Sequence, residues 1–359
     1  MANFVTKRGR SGSSVGWVES LLTLSLLGAM LGSLGSTIGA QILPERLAVT
    51  VPAETIRVST ELVVIDAQVI DRQKGEMVRG LQRSDFLLRE AGELQSISHF
   101  SQDRLTLSVV LLLDLSGSVS PALSQIREGA LEAIGRLKEA DEVALLAFSS
   151  EAQVLQDFTR NRQLVTDRIG HLERTAGIGR GTSLYQGLVA AARHVREAGP
   201  WTGRKVILVI TDNIAWESNF SGLSEAEVRR EILASGAMVC GLVVEGALSR
   251  TERIFLRNGD GRDLYRRAMR IDPFIELTGG EMARTTAAQI RPRLGGLIEN
   301  LRNRYSLAFT PRSEGTVSGE FRPLAVELTP DARARLGREV QVRARRGYLA
   351  RDVPAGNEP

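Results

Sequence analysis

The chain has 359 residues, 43% hydrophobic and 25% charged, a composition that excludes wholesale disorder and a multi-span membrane protein and suffices for one large domain plus a smaller one. Its 46 basic side chains stand against 42 acidic ones, a net charge of +4, so the surface is mixed in sign and gives no case for nucleic-acid binding. A single cysteine, Cys240, excludes an intrachain disulfide and any cysteine-rich metal site, and His99, His171 and His194 match no zinc pattern, so a metal in this chain must be held by oxygen.

Lys7, Arg8 and Arg10 precede an uncharged stretch over residues 21–40 that ends in the small residues Gly35, Ser36, Thr37, Gly39 and Ala40. A basic region, an apolar region and a small-residue exit are the three parts of a secretory signal. The strongly apolar part, residues 21–34, is shorter than the roughly 20 residues a membrane-spanning helix needs. Cleavage after about Ala40 is the reading, with a weak uncleaved anchor over residues 21–40 as the alternative. Either places the protein outside the cytosol, in the periplasm, the cell envelope or the medium. Without residues 1–40 the net charge falls to +2, since Lys7, Arg8, Arg10 and Glu19 go with them.

A linker over residues 41–53, marked by Pro44 and Pro52, leads to residues 54–103, which read as β-structure. Ile56 and Val58 alternate with polar neighbours, residues 62–69 are rich in β-branched side chains, and Lys74-Gly75 and Ala91-Gly92 supply turns. The texture changes over residues 104–302. Val109-Val110-Leu111-Leu112-Leu113 is a continuous apolar run, as a strand buried on both faces requires. Predicted helices over 121–140, 162–173, 184–197, 225–234 and 286–303 alternate with predicted strands over 143–148, 206–210 and 238–244, which makes a doubly wound, Rossmann-like, mostly parallel α/β sheet. Residues 303–349 return to strand patterning at 305–309, 324–328 and 340–344, before a tail at 350–359. Neither β-segment closes a stable sheet alone, so the two are expected to pair into one small sandwich-like domain with the α/β domain inserted between them.

The chemistry concentrates where strands end. The apolar run leads into Asp114-Leu115-Ser116-Gly117-Ser118, the strand at 206–210 into Thr211-Asp212, and a glycine-rich loop, Gly177-Ile178-Gly179-Arg180-Gly181, presents Thr182 before a helix. Doubly wound folds bind ligands at the carboxyl ends of their strands. Asp-x-Ser-x-Ser, a glycine-flanked Thr and a strand-terminal Asp, in that order, resemble the metal-ion-dependent adhesion site (MIDAS) of the von Willebrand factor type A domain. The resemblance covers roughly residues 104–302 and includes the Leu277-Thr278-Gly279-Gly280 turn. The flanking segments, with Ser84-Asp85-Phe86, Glu90-Ala91-Gly92 and the close Arg343-Ala344-Arg345-Arg346-Gly347-Tyr348, are similar to a bacterial family of exported von Willebrand factor A-related proteins.

The resemblance implies Mg²⁺, or Mn²⁺ or Ca²⁺ in its place, with Asp114, Ser116, Ser118, Thr182 and Asp212 as its ligands, some of them through water. A cation bound mainly by hydroxyls stays electron-poor and seeks one more anionic oxygen, which the resemblance assigns to a Glu or Asp of a protein partner. Family members usually have Gly after the last Asp, where this chain has Asn213, a residue that tolerates positive φ. Asn213, Trp216, Phe220 and Tyr185 are candidates for a rim around a ligand, with packing or loop support as the plainer role of the aromatic ones.

Rival readings are weaker. Gly177-x-Gly179-x-Gly181 follows no apolar strand and precedes no Lys-Ser/Thr, so it is no phosphate loop. Neither Gly-x-Ser-x-Gly nor His-Glu-x-x-His occurs, and Ser116 stands where an aspartyl phosphatase needs a second acid. No enzyme is indicated. The arginines at 333, 335, 338, 343, 345, 346 and 351 read as the solvated face of an edge strand rather than a site for anionic polymers. Cys240 reads as a buried small hydrophobe. The expectation is an exported, non-enzymatic adhesion or protein-binding module that contacts membrane only through its amino terminus. A metal-independent assembly module of the envelope is the alternative.

Overall fold

The computed structural model describes residues 62–102, 105–172, 182–198, 203–212, 222–245, 270–311 and 317–350. Residues 1–40 expected to form a targeting segment, the 41–53 linker, the glycine loop before Thr182, and Asn213, Trp216 and Phe220 lie outside the described residues. Among the described residues, no helix is long and apolar enough to cross a membrane.

Alternation sets the first strands. β1 (Val63–Asp71) buries Ile65, Ala67 and Val69 on one face, and β2 (Phe86–Glu90), β3 (Glu93–Gln95) and β4 (His99–Ser101) follow. The chain then enters the α/β unit: β5 (Leu107–Asp114), α1 (Leu123–Gly135), β6 (Glu142–Phe148), β7 (Ala152–Thr159), α2 (Arg162–Gly170), α3 (Leu184–Glu197), β8 (Arg204–Thr211), α4 (Glu225–Ser235), β9 (Met238–Glu245), α5 (Asp272–Thr278), β10 (Met282–Thr286) and α6 (Ile290–Arg302). It returns through β11 (Tyr305–Phe309), β12 (Phe321–Leu328), α7 (Pro330–Leu336), β13 (Val340–Ala344) and β14 (Gly347–Leu349).

The central sheet runs β10-β9-β8-β5-β6-β7, parallel throughout except for β7 at one edge. Every residue of β5 is buried because helices cover both sheet faces. Val109, Leu111 and Leu113 pack with α1, α2 and α6, while Val110 and Leu112 pack with α3, α4 and α5. The order reverses beside β5, with β6 on one side and β8 on the other, and that reversal creates a crevice at the carboxyl ends of β5 and β8.

The two flanking segments interleave. β1 pairs antiparallel with β11 and β13, and β4 with β11; β12 pairs with β2 and β14, and β2 with β3. Two four-stranded sheets result. Phe86, Phe100 and Tyr305 cluster between them, with ring centroids 5.2 to 5.8 Å apart, beside Leu307 and Leu328. The opposite face of β1 is polar and carries Asp66 and Gln68, and these meet the amino-terminal edge of the α/β sheet through arginines. Arg204, the first residue of β8, donates to Asp66 Oδ1 (2.7 Å), Ser306 Oγ (3.2 Å) and the Leu301 carbonyl. Arg304 donates to the Gly279 carbonyl (2.7 Å) and Gln68 Oε1 (3.3 Å). Gly279 caps α5 at φ 70°, and a Cβ there would lie 2.3 Å from the Ala344 carbonyl carbon, so glycine is what allows the two parts to close on each other.

Three expectations need correction. The helix expected over 121–140 ends at Gly135, because Asp141 Oδ2 accepts the Lys138 amide (2.6 Å) and closes a turn. The antiparallel strand β7 was not foreseen; its half-exposed, irregular register at the sheet edge blurs the alternation. Of the arginines after 330, only Arg343 lies on an edge strand, β13, among the described residues, and Arg351 lies outside them. Arg333 and Arg335 lie on α7, which Pro330 starts and the Thr329 hydroxyl caps, and Arg335, Arg338 and Arg346 pair with Asp85, Asp71 and Glu276.

Asp141 also accepts the Leu107 amide (2.9 Å) and both terminal nitrogens of Arg302, at 1% exposure for each residue. Burial works against its charge, but Arg302 and the two amides outweigh it and hold the carboxyl below the usual range. The stabilisation is therefore complete above the unfolded carboxyl's ordinary value and is lost as the pH falls through the depressed one. Replacing Asp141 with Asn should strand the buried Arg302 charge and cost about 3 to 5 kcal/mol, read by denaturant unfolding at neutral pH. A loss below about 1 kcal/mol would show the pair to be dispensable.

Candidate functional site

β5 delivers Asp114 as its last residue, and β8, its parallel neighbour, delivers Thr211 and then Asp212. Both carboxylates therefore arrive at the crevice where the strand order reverses. Asp114 is 0% and Asp212 6% exposed. Asp114 Oδ1 accepts the Ser116 amide (2.9 Å), which folds the chain back immediately after the strand. This turn carries Ser116 and Ser118 to the same place, their hydroxyls 3.1 Å apart. Asp114 Oδ2 accepts the Thr211 hydroxyl at 2.6 Å.

Thr182 reaches the neighbouring strand end by a tether. The amide of Ser183 donates to the Ser149 carbonyl (2.6 Å) and its hydroxyl to the Ser150 carbonyl (2.9 Å), just beyond β6. The Leu115 amide in turn bonds the Phe148 carbonyl at 2.8 Å. The ends of β5, β6 and β8 are thus tied together around the two aspartates. Thr211, Ser149, Ser150 and Ser183 escaped the sequence reading. A threonine at the last position of a buried strand, next to an acid, was the signal available for Thr211.

Tyr185 is not on a rim. It is 7% exposed and its ring meets Phe274 edge-on at 5.7 Å, so its place on the first turn of α3 makes it part of the core beneath the loop. Cys240, at 0% exposure, is buried as expected.

The electrostatics are unusual for buried carboxylates in this chain. Burial first, and the neighbouring Asp212 second, raise Asp114 to about 7, and the hydrogen bonds from Ser116 and Thr211 only partly oppose them. Only neutral groups donate to Asp114. Among the described residues no three His, Cys, Asp or Glu side chains converge, so two carboxylates are the charged part of the set and hydroxyls supply the rest. Such a donor set fits a hard divalent cation, because it is all oxygen and because a positive charge would relieve the repulsion between Asp114 and Asp212.

The sequence profile of the von Willebrand factor type A domain matches residues 109–214. Among solved structures, the chain is similar to the conserved hypothetical protein BatB from Bacteroides thetaiotaomicron, at 17% identity and a TM-score of 0.39 over 54% of this chain and 98% of that one. It is similar to a von Willebrand factor type A protein from Catenulispora acidiphila, at 10% identity and 0.41 over 76% and 72%. A third is proximal thread matrix protein 1 of the mussel byssus with a zinc-occupied MIDAS motif, at 12% identity and 0.40; here the match spans 55% of this chain and 48% of that protein.

The raised Asp114 makes the metal-free fold sensitive to pH. Between about pH 4 and 7 the folded chain keeps a proton that the unfolded chain has released, so stability falls as the pH rises through that window. In chelator, Asp114→Asn should be more stable than the parent at about pH 8, by a few kcal/mol, and nearly equal to it at about pH 4. Thermal unfolding across that range checks this, and a variant less stable at the higher pH would contradict it.

Proposed function

We propose, from the premise that residues 109–214 carry a von Willebrand factor type A domain, that this chain is an exported binding module that holds a divalent cation at Asp114, Ser116, Ser118, Thr182 and Asp212 and uses it to capture an acidic side chain of a protein partner. The observation that carries the reading is the buried Asp114, given neutral donors only and set beside the buried Asp212, at the crevice of a doubly wound sheet. When bound there, Mg²⁺ or Mn²⁺ supplies a coordination position for the partner's carboxylate.

The protein's own part in this is positioning. The Ser116 amide and the Thr211 hydroxyl fix both oxygens of Asp114, so its carboxylate cannot swing toward solvent. The Ser183 bonds to Ser149 and Ser150 hold the chain beside Thr182 in register with β6. Ser116 and Ser118 keep neutral oxygens at the turn, weak donors that would leave a bound cation receptive to a further anionic oxygen from outside. The role proposed is binding rather than turnover. The basic and apolar pattern over residues 1–40 supports a site of action in the cell envelope or beyond it.

The experiment is titration of chelator-treated protein with Mn²⁺ and Mg²⁺ by calorimetry, followed by capture of partners from envelope extract. Binding of the ion displaces the Asp114 proton, so affinity should rise about tenfold per pH unit below about 7 and level off above it. Asp114→Ala should abolish metal binding and Thr182→Ala should weaken it by about tenfold or more. Partner capture should collapse with chelator and with Asp114→Ala. Capture unchanged by both treatments would replace this reading with a metal-independent assembly module.

A further inference from the structure

The junction between the β-domain and the base of the α/β unit forms an open-mouthed cleft of about 540 Å³, lined by residues of β1, the turn after it, β13, β10 and α6, with Glu76 and Arg79 exposed at its rim. None of its lining residues belongs to the aspartate site, and it does not depend on the metal reading. Its polarity follows from the sheet. Gln68 of β1 and Arg343 of β13 are direct partners in register, so their side chains share the face that looks toward the α/β unit. Gln68 Oε1 is taken by Arg304, which leaves Arg343 to line the space.

Four charged groups surround the cleft: Arg79 and Arg343 on one side of the balance, Glu76 and Glu281 on the other. No ion pair joins any two of them. Among the described residues, neither guanidinium makes a hydrogen bond or ion pair with any group. Glu281 is held rather than neutralised, since the Asn300 amide nitrogen lies 3.1 Å from each of its oxygens. Ile70, Met77 and Met282 supply apolar wall. Opposite charges that could satisfy each other in direct contact instead stand apart around the cleft. The volume lies in the range of small-molecule sites, roughly 300 to 1,000 Å³.

We propose that this cleft binds a zwitterionic ligand of the amino-acid or short-peptide class, its carboxylate received by Arg343 and Arg79, its ammonium by Glu281 and Glu76, and its side chain laid against the methionines. A dicarboxylate would meet Glu281 and Glu76 with repulsion, and a diamine would meet the two arginines in the same way. Bidentate guanidinium recognition suits a carboxylate, and the fixed Glu281 suits an ammonium.

Thermal unfolding and calorimetry of the full chain, with each free L-amino acid and a series of glycyl dipeptides as separate probes, test the assignment. Succinate and putrescine serve as singly signed controls, and every measurement is repeated in chelator so that the metal site is read apart. At least one zwitterion should raise the melting temperature by about 2 °C or more at saturating concentration, with or without chelator, while the controls do not. Arg343→Ala and Glu281→Gln should each weaken that ligand about tenfold or more. Arg343 loses no internal partner on substitution, and exposed Arg79→Ala provides a second variant whose fold is not at risk. No shift with any probe, an equal shift with succinate, or unchanged affinity in both Arg343→Ala and Arg79→Ala would overturn the proposal.

Discussion

The fold depends on three buried guanidiniums at the amino-terminal edge of the parallel sheet. Arg204, Arg302 and Arg304 are 3%, 1% and 0% exposed, and each sits where one part of the chain is handed to another: the start of β8, the end of α6 and the entry to β11. Removing such a cation from water costs several kcal/mol, and only close partners offset it. Asp141 meets Arg302, Asp66 and Ser306 meet Arg204, and the Gly279 carbonyl and Gln68 meet Arg304. At Asp66, burial opposes the charge, and Arg204, Ser306 and Arg304 together overcome it, so the carboxyl stays below its ordinary range. A partly assembled junction would leave a charge buried and unmet, so the inserted unit has one seat on its β-domain rather than a range of them.

That junction also decides where the remaining surface lies. The chain enters the α/β unit at Leu107 and leaves it at Arg302, and both of these contact Asp141. Entry and exit therefore share the amino-terminal edge. At about 3.3 Å per residue, the eight residues of β8 place Asp212 on the order of 25 Å from Arg204. The carboxyl edge, with Asp114 and the Ser116–Ser118 turn, is left clear of the β-domain by the connectivity alone. The same connectivity ties the carboxyl end of α6 to the Arg302–Asp141 pair, and this restrains that helix against sliding along its axis.

The sequence carried the parts of this that are periodic. The run Val109–Leu113 and the spacing of α3 and α4 announced a sheet covered on both sides, and the pairing of the flanking segments followed from the need of each for a partner sheet. Asp114, Ser116, Ser118 and Asp212 could be placed at strand ends because a parallel sheet sends all its carboxyl ends one way. What escaped was set by tertiary contact. The β7 edge strand lacks a clean alternation, since neither of its faces is fully covered. The helix α7 sits among arginines that look like a charged strand, and Thr329 and Pro330 outweigh that appearance locally. Tyr185 drew attention by its nearness to Thr182, but its direction is fixed by Phe274, which lies 89 residues later. The arginine junction was invisible for the same reason: Arg204 and Asp66 are 138 residues apart, and no local pattern links them.

The contrast between the two ends of the sheet separates scaffold from site. Asp66, Asp141 and Asp114 are all aspartates sheltered from water, and burial pushes each of them upward. At the first two, arginine reverses the effect and the carboxyl is depressed. At Asp114 no guanidinium contributes, a second aspartate adds to the strain, and the carboxyl rises to about 7. A chain this rich in arginine had the means to neutralise that pair and places only hydroxyls and an amide against Asp114. Stability alone would favour an arginine or an apolar residue beside Asp114, so its raised carboxyl is a cost carried by the rigid scaffold beneath it. On the function proposed above, its physical use is to leave Asp114 without a cation of the protein's own and so to favour one from outside.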